Sequence, residues 1–88
     1  METNVDKILE ERGSRYGKFK DHAEITQGLK FFLQPYGGKL SASQTEALEM
    51  IFHKIGRILN GDPNYADSWV DIAGYAKLVA DELEGKSK

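Results

Sequence analysis

The apolar residues Leu48, Ile51, Phe52, Ile55, Ile58 and Leu59 recur at intervals of one to four positions that return to the same side of a helix. A repeat of about 3.6 residues is the signature of an α-helix with one face toward a core. A second stripe follows in Trp69, Ile72, Ala73, Ala76, Val79, Ala80 and Leu83. Only the segment Asn60 to Asn64 separates the two patterns, so the chain turns back on itself and the two helices are expected antiparallel and adjacent. The alanines of the second stripe would let another helix approach closely. This pair restricts the fold more than any other feature of the chain.

The ends of the helices carry recognisable chemistry. Ser43 with Glu46 reads as a capping box opening the third helix, and Ser41 with Gln44 reads as a rival two residues earlier. Asn60 and Gly61 close it. Asp62-Pro63 is a start signal for the fourth helix, with an alternative start at Asn64, and Gly85 ends it. Upstream, Ile25, Leu29, Phe32 and Leu33 mark a second helix from about Asp21 to Gln34, which Pro35 terminates, followed by a YGGKL loop. A short first helix over residues 4–12 is capped by Asn4 and stopped by Gly13, and GSRYGKF is a loop. No segment alternates as a strand does. The expected fold is all-α: a small antiparallel helical bundle, a short N-terminal helix plus three longer helices, in a single domain over residues 1–88.

At 88 residues, a monomer buries only about 60 to 65% of the surface its unfolded chain exposes, so the core is thin and self-association is one remedy. A net charge of -2 gives no reason to expect stable binding to duplex nucleic acid. The chain has no cysteine, which removes disulfides, thiolate metal sites and cysteine nucleophiles. It has no apolar run of bilayer length, and METNVDKILEERG lacks the pattern of a signal peptide. The expectation is a soluble cytoplasmic protein with no membrane partner.

Opposite the apolar side of the third helix stand Glu46, Glu49, His53 and Arg57, with Lys54 on the flank. Opposite that of the fourth stand Asp67, Asp71 and Gly74, with Ser68 and Tyr75 beside them. Glu46 and Glu49 share a face, as do Asp67 and Asp71. Two carboxylates on each of two neighbouring helices are a donor set suited to one or two magnesium ions, and Lys54 and Arg57 would meet phosphates there. The same spacing also describes two solvated faces, with Glu49 paired locally to His53 or Arg57.

Glu46-x-x-Glu49, Lys54, Arg57, Asp67-Ser68-Trp69-Val70-Asp71 and Ala73-Gly74-Tyr75 resemble the core of the all-α nucleoside-triphosphate pyrophosphatase superfamily, whose best-known branch is MazG. ERGSRYG, EALEMI, KIGRILNGDPNY and DSWVDIAGYA resemble more closely small MazG-like proteins encoded by bacteriophages and prophages. The resemblance implies a Mg²⁺-dependent enzyme, with Mn²⁺ as substitute, splitting a nucleoside triphosphate into monophosphate and pyrophosphate, or a related nucleotide phosphohydrolase. It implies metal binding by Glu46, Glu49 and Asp71. Ser68 stands where the family has a glutamate, and Asp67 beside it is the replacement to consider. Glu46 or Glu49 would orient or deprotonate the attacking water, Lys54 would act with them in catalysis, and Lys54, Arg57 and Tyr75 would hold the substrate. The family also implies a homodimer or homotetramer, in the cytoplasm of the host bacterium.

His22 reads either as a residue of the substrate cleft or as a structural hydrogen-bonding group. Arg15, Tyr16 and Lys18 read either as a loop closing over a nucleotide or as an ordinary turn. Phe31, Phe32 and Tyr36 hint at an interface, whereas Trp69 is expected in the core. The glycines do not form a Walker motif, and the two histidines have no zinc spacing. The alternatives to an enzyme are a non-catalytic nucleotide-binding protein and a phage protein that binds and modulates a host protein.

Overall fold

The computed structural model describes residues 3–86, and every described regular element is helical. α1 spans Asn4–Tyr16, α2 Phe19–Leu33, α3 Ala42–Asn60 and α4 Ala66–Leu83, with a 3₁₀ helix over Gln34–Lys39. α3 is the central element. It packs mainly against α4 and α2, whereas α1 touches α2 and α3 only lightly. The four helices form a small helical bundle.

The helix ends differ from the sequence reading for local reasons. α1 is capped by Thr3, whose hydroxyl accepts from the Asp6 N–H while Asp6 accepts from the Thr3 N–H. α1 runs through Gly13, where nothing crowds the backbone, and ends at Gly17. α2 begins at Phe19. Pro35 does not stop the chain abruptly: it sits in the first turn of the 3₁₀ helix, where its missing N–H costs no hydrogen bond. Of the two capping boxes for α3, Ser41 with Gln44 forms. α4 starts at Ala66, later than Asp62-Pro63 suggested, because Asp62 is engaged in the turn. Its carboxylate accepts from the Asn64 N–H at 2.9 Å and its own N–H donates to the Arg15 carbonyl at 2.9 Å.

The packing face of α4 is the main correction. Its apolar stripe was expected to be buried, yet Trp69 is 53% exposed and Ala73, Ala76, Ala80 and Leu83 of the same stripe are open, as are Val70 and Leu78 outside it. Ser68 and Asp81 are buried instead, at 4% and 2% exposure. Trp69 lies against the turn before α4, its indole N–H donating to the Pro63 carbonyl at 2.9 Å. On α3, Lys54 and Ala47 are buried while Leu59 is exposed. Periodicity located amphipathic helices correctly, but the protomer turns part of their apolar surface outward.

The proportions agree. The radius of gyration is 15.2 Å and the extents are 50 × 28 × 24 Å. A compact chain of this length would have a radius of about 12 Å. The chain exposes 6555 Å², against about 5,200 Å² for a compact monomer of its mass. Val5, Ile8 and Leu9 on α1, and Phe31, Phe32 and Tyr36 near the end of α2, are among the open apolar residues. No helix among the described residues is long and apolar enough to cross a membrane.

Candidate functional site

The four acidic candidates do not gather. Lys54, on α3, is buried and its ammonium lies 3.1 Å from the Asp71 carboxylate on α4. That contact sets the level at which the antiparallel helices meet. Glu49 lies five positions back toward the start of α3 and Glu46 eight, or about 7.5 and 12 Å at the rise of an α-helix. Glu46 lines a groove with Tyr75, Val79 and Glu82 on the α4 side. Glu49 lines another with Gln27 and Lys30 on the α2 side. The Asp67 carboxylate accepts from the Tyr65 hydroxyl at 2.9 Å. Among the described residues, no three His, Cys, Asp or Glu side chains are grouped so as to hold a metal ion. The donor set that the sequence suggested for Mg²⁺ therefore does not fit one within a single protomer.

A different group does converge. The turn between α1 and α2 is locked against the turn between α3 and α4. The Asn60 side-chain amide donates to the Tyr16 carbonyl at 3.0 Å and to the Lys18 carbonyl at 2.8 Å. Gly17 takes φ 80°, a conformation that favours glycine, and closely approaches the Asn60 carbonyl. Gly61 lies just as close to the Arg15 and Tyr16 backbone. Arg15 serves this corner: its guanidinium lies 4.5 Å from the Tyr65 ring centroid and donates to the Tyr65 hydroxyl at 3.3 Å. Donation of the Tyr65 hydroxyl to the Asp67 carboxylate, and after it a slight desolvation, push the Tyr65 phenol up. The GSRYG and NGDPNY segments are thus first of all two halves of one clasp.

The clasp shapes a cleft of about 620 Å³ between α1, the start of α2 and the second half of α3. Arg12, Tyr16, Lys18, Phe19, His22, His53 and Arg57 supply its polar and aromatic walls, and among the described residues no carboxylate lines it. The Arg57 guanidinium sits 4.4 Å from the Tyr16 ring centroid, a cation–π contact that fixes its direction. His22 Nε2 and His53 Nδ1 are 3.4 Å apart. Phe19 stacks beside His22, their planes 26° apart, and is itself 82% exposed at the rim.

Burial lowers the His22 pKa most, with His53 and Arg57 adding to it and the Gly56 carbonyl opposing. His22 Nδ1 is buried beside that carbonyl without a hydrogen bond of good geometry. Burial likewise leads in lowering His53, followed by the charges of Lys30, Arg57 and Lys54, with Glu49 opposing. Both rings are thus held neutral more firmly than in the unfolded chain. Stability from this source is complete above the unfolded histidine pKa, about 6.5, and is lost as the pH falls below it toward the folded values. The thermal midpoint is expected to drop on acidification from about pH 7 to about pH 5, and to drop less in a His22→Gln, His53→Gln double variant. Thermal melts across that range, read by circular dichroism, check both.

Of the residues the sequence singled out, Tyr16, Lys18, His22, His53 and Arg57 come together in the cleft. Lys54 and Asp71 form a pair outside its lining, Tyr75 and Glu46 share the α4 groove, and Glu49, Asp67 and Arg15 are placed elsewhere. Arg12 and Phe19 were missed, as was the partnership of His53 with His22. They lie on three helices and share no spacing, so only their residue types could have drawn attention.

A family model described as Domain of unknown function (DUF6378) matches residues 1–83. Neither the curated proteins nor the solved structures include a match.

Proposed function

The chain belongs to the DUF6378 family, and we propose that it binds a nucleotide in the cleft between α1, α2 and α3. The supporting observation is a cleft lined by Arg12, Lys18, Arg57 and two imidazoles, with no lining carboxylate among the described residues and an open aromatic ring at its edge. Guanidinium groups suit phosphate oxygens because they donate in a planar fork, and the Phe19 face suits a base. The walls alone can hold phosphates without a metal.

Hydrolysis of a nucleoside triphosphate to monophosphate and pyrophosphate, which the MazG-like resemblance implies, makes a further demand. It requires carboxylates that one protomer keeps apart, so it belongs with an assembly in which a second copy completes the set. The open apolar surface of α1, α2 and α4 supports a homo-oligomer. The surplus of about 1,300 Å² over a compact monomer exceeds the roughly 800 Å² per partner of an ordinary protein interface. Sedimentation velocity at micromolar concentration is expected to give a dimer or larger. A strictly monomeric species would remove the assembly and hydrolysis with it, leaving the binding reading in place.

The test of binding is calorimetric titration with ATP, GTP, their deoxy counterparts and pyrophosphate, first without a divalent cation. Saturable binding that weakens with added salt is expected; no binding to any member sinks the proposal. Pyrophosphate release is then followed with Mg²⁺ or Mn²⁺ present. Release by the wild type and its loss in Glu49→Gln, with nucleotide binding retained, would establish the enzyme rather than the binding module.

A further inference from the structure

We propose that the His22–His53 pair takes up one proton when a phosphorylated ligand enters the cleft, so that occupancy is coupled to pH. This rests on the binding site proposed above and adds how that site is regulated.

The geometry comes first. The ring centroids are 5.6 Å apart and the nearest nitrogens 3.4 Å. The difference is about what two imidazole radii supply, so His22 Nε2 and His53 Nδ1 face each other head-on. Such a contact has room for one proton between the rings: one nitrogen donates and the other accepts. A neutral pair satisfies it, and so does a pair carrying one extra proton on an outer nitrogen. A pair with both rings fully protonated would set two N–H groups against each other. The capacity of the pair is therefore one proton.

The surroundings decide whether that proton is present. Arg57 acts on both rings, Lys30 and Lys54 act on His53, and Glu49 is the opposing charge. Arg12 from α1 and Lys18 from the turn line the same cleft. An added proton in the empty site is repelled by this field and poorly solvated. A phosphate against Arg12, Lys18 and Arg57 neutralises the field and offers an acceptor to an imidazolium N–H. The proton comes from solvent and no covalent bond changes. Because linkage is reciprocal, a ligand that draws in a proton must bind more tightly as protons become more abundant.

The ligand's own titration acts in the opposite direction. A terminal phosphate has a pKa near 6 and loses charge on acidification, which weakens its attraction to the cationic walls. The sign of the pH dependence thus separates the protein's contribution from the ligand's.

The experiment is calorimetric titration of the full chain with ATP, and separately with pyrophosphate, without metal, in buffers of different ionisation enthalpy. Net uptake of up to about one proton is expected near pH 7, with affinity about three- to tenfold higher at pH 6.5 than at pH 8. His53→Asn is expected to abolish the uptake. Should that variant not fold, the imidazole proton resonances of the wild type report the same quantity, and the pKa of at least one ring must rise when the probe saturates the site. Binding without buffer-dependent heat, with affinity flat or falling on acidification and unchanged imidazole titration, overturns the coupling but leaves the binding site intact. No binding of either probe at any pH overturns both.

Discussion

Gly61→Ala is expected to destabilise the protein by about 2–4 kcal/mol, lowering the thermal midpoint by roughly 10–25 °C for a domain of this size. A Cβ built at Gly61 would lie 2.3 Å from the Arg15 carbonyl oxygen and 2.4 Å from the Tyr16 Cα. Both are backbone atoms and cannot rotate away. Relief requires the two turns to separate, which would break the Asp62 N–H bond to the Arg15 carbonyl and strain both bonds from Asn60. Gly17→Ala is expected to do similar damage from the other side, since its Cβ would lie 2.3 Å from the Asn60 carbonyl oxygen and its φ is 80°. Gly28→Ala is the control. It sits within α2 with nothing within 4 Å of an added Cβ, and is expected to stabilise by about 0.5–1 kcal/mol through helix propensity. Chemical denaturation of the three variants measures the contrast. Equal effects at all three positions would show that the clasp is not what holds the corner together.

Arg57→Leu is expected to weaken nucleotide binding about 10- to 100-fold, since a charge-assisted hydrogen bond contributes about 1.5–3 kcal/mol. Arg57 is held over Tyr16 and also faces the histidine pair, so it bears on both the phosphate and the rings. Arg57→Lys is expected to fall between wild type and Arg57→Leu. Lysine keeps the charge but lacks the planar fork and stacks less well on an aromatic face. Calorimetry with ATP checks the order, and circular dichroism confirms that each variant is folded. Wild-type affinity in folded Arg57→Leu would move the ligand out of this cleft.

The two sets of variants bear on different parts of one arrangement. Asn60, Gly17 and Gly61 bring the end of α1 with Tyr16, and the turn with Lys18, onto α3. Arg57, His53 and Arg12 then present their charge to the space that results. The cleft is thus a consequence of the clasp, and a variant that opens the corner should lose affinity together with stability. Phe19 contributes differently: its ring is open at the rim, so it adds little to folding but is available to stack.

Much of the chain's local organisation follows from residue order. The stripe from Leu48 to Leu59 makes α3, the Ser41–Gln44 box starts it and Gly61 ends it. These signals act within one or two helical turns, and each is satisfied by neighbouring backbone, so no distant contact is needed. Some boundaries moved for local reasons, as where Thr3 rather than Asn4 caps α1, but the start of α4 moved for a tertiary one. Asp62 looks like a helix cap, but its backbone N–H is claimed by Arg15, far away in sequence.

The functional geometry is not local. Spacing placed Glu46 with Glu49 and Asp67 with Asp71 on shared faces, but in the fold Glu46 and Glu49 line different grooves and the axial offset between α3 and α4 keeps them from the aspartates. Likewise, nothing in the order of residues joins His22 to His53, or Arg57 to Tyr16. An amphipathic pattern records which residues lie on one side of a helix; it does not record the rotation or the height at which that helix meets its neighbour. Helix content and turn chemistry were therefore determined by the sequence itself, through interactions a few residues long. The cationic cleft, the dispersed carboxylates and the outward-facing apolar surface were decided only by tertiary packing, because rotation and offset depend on contacts between segments that are distant in the chain.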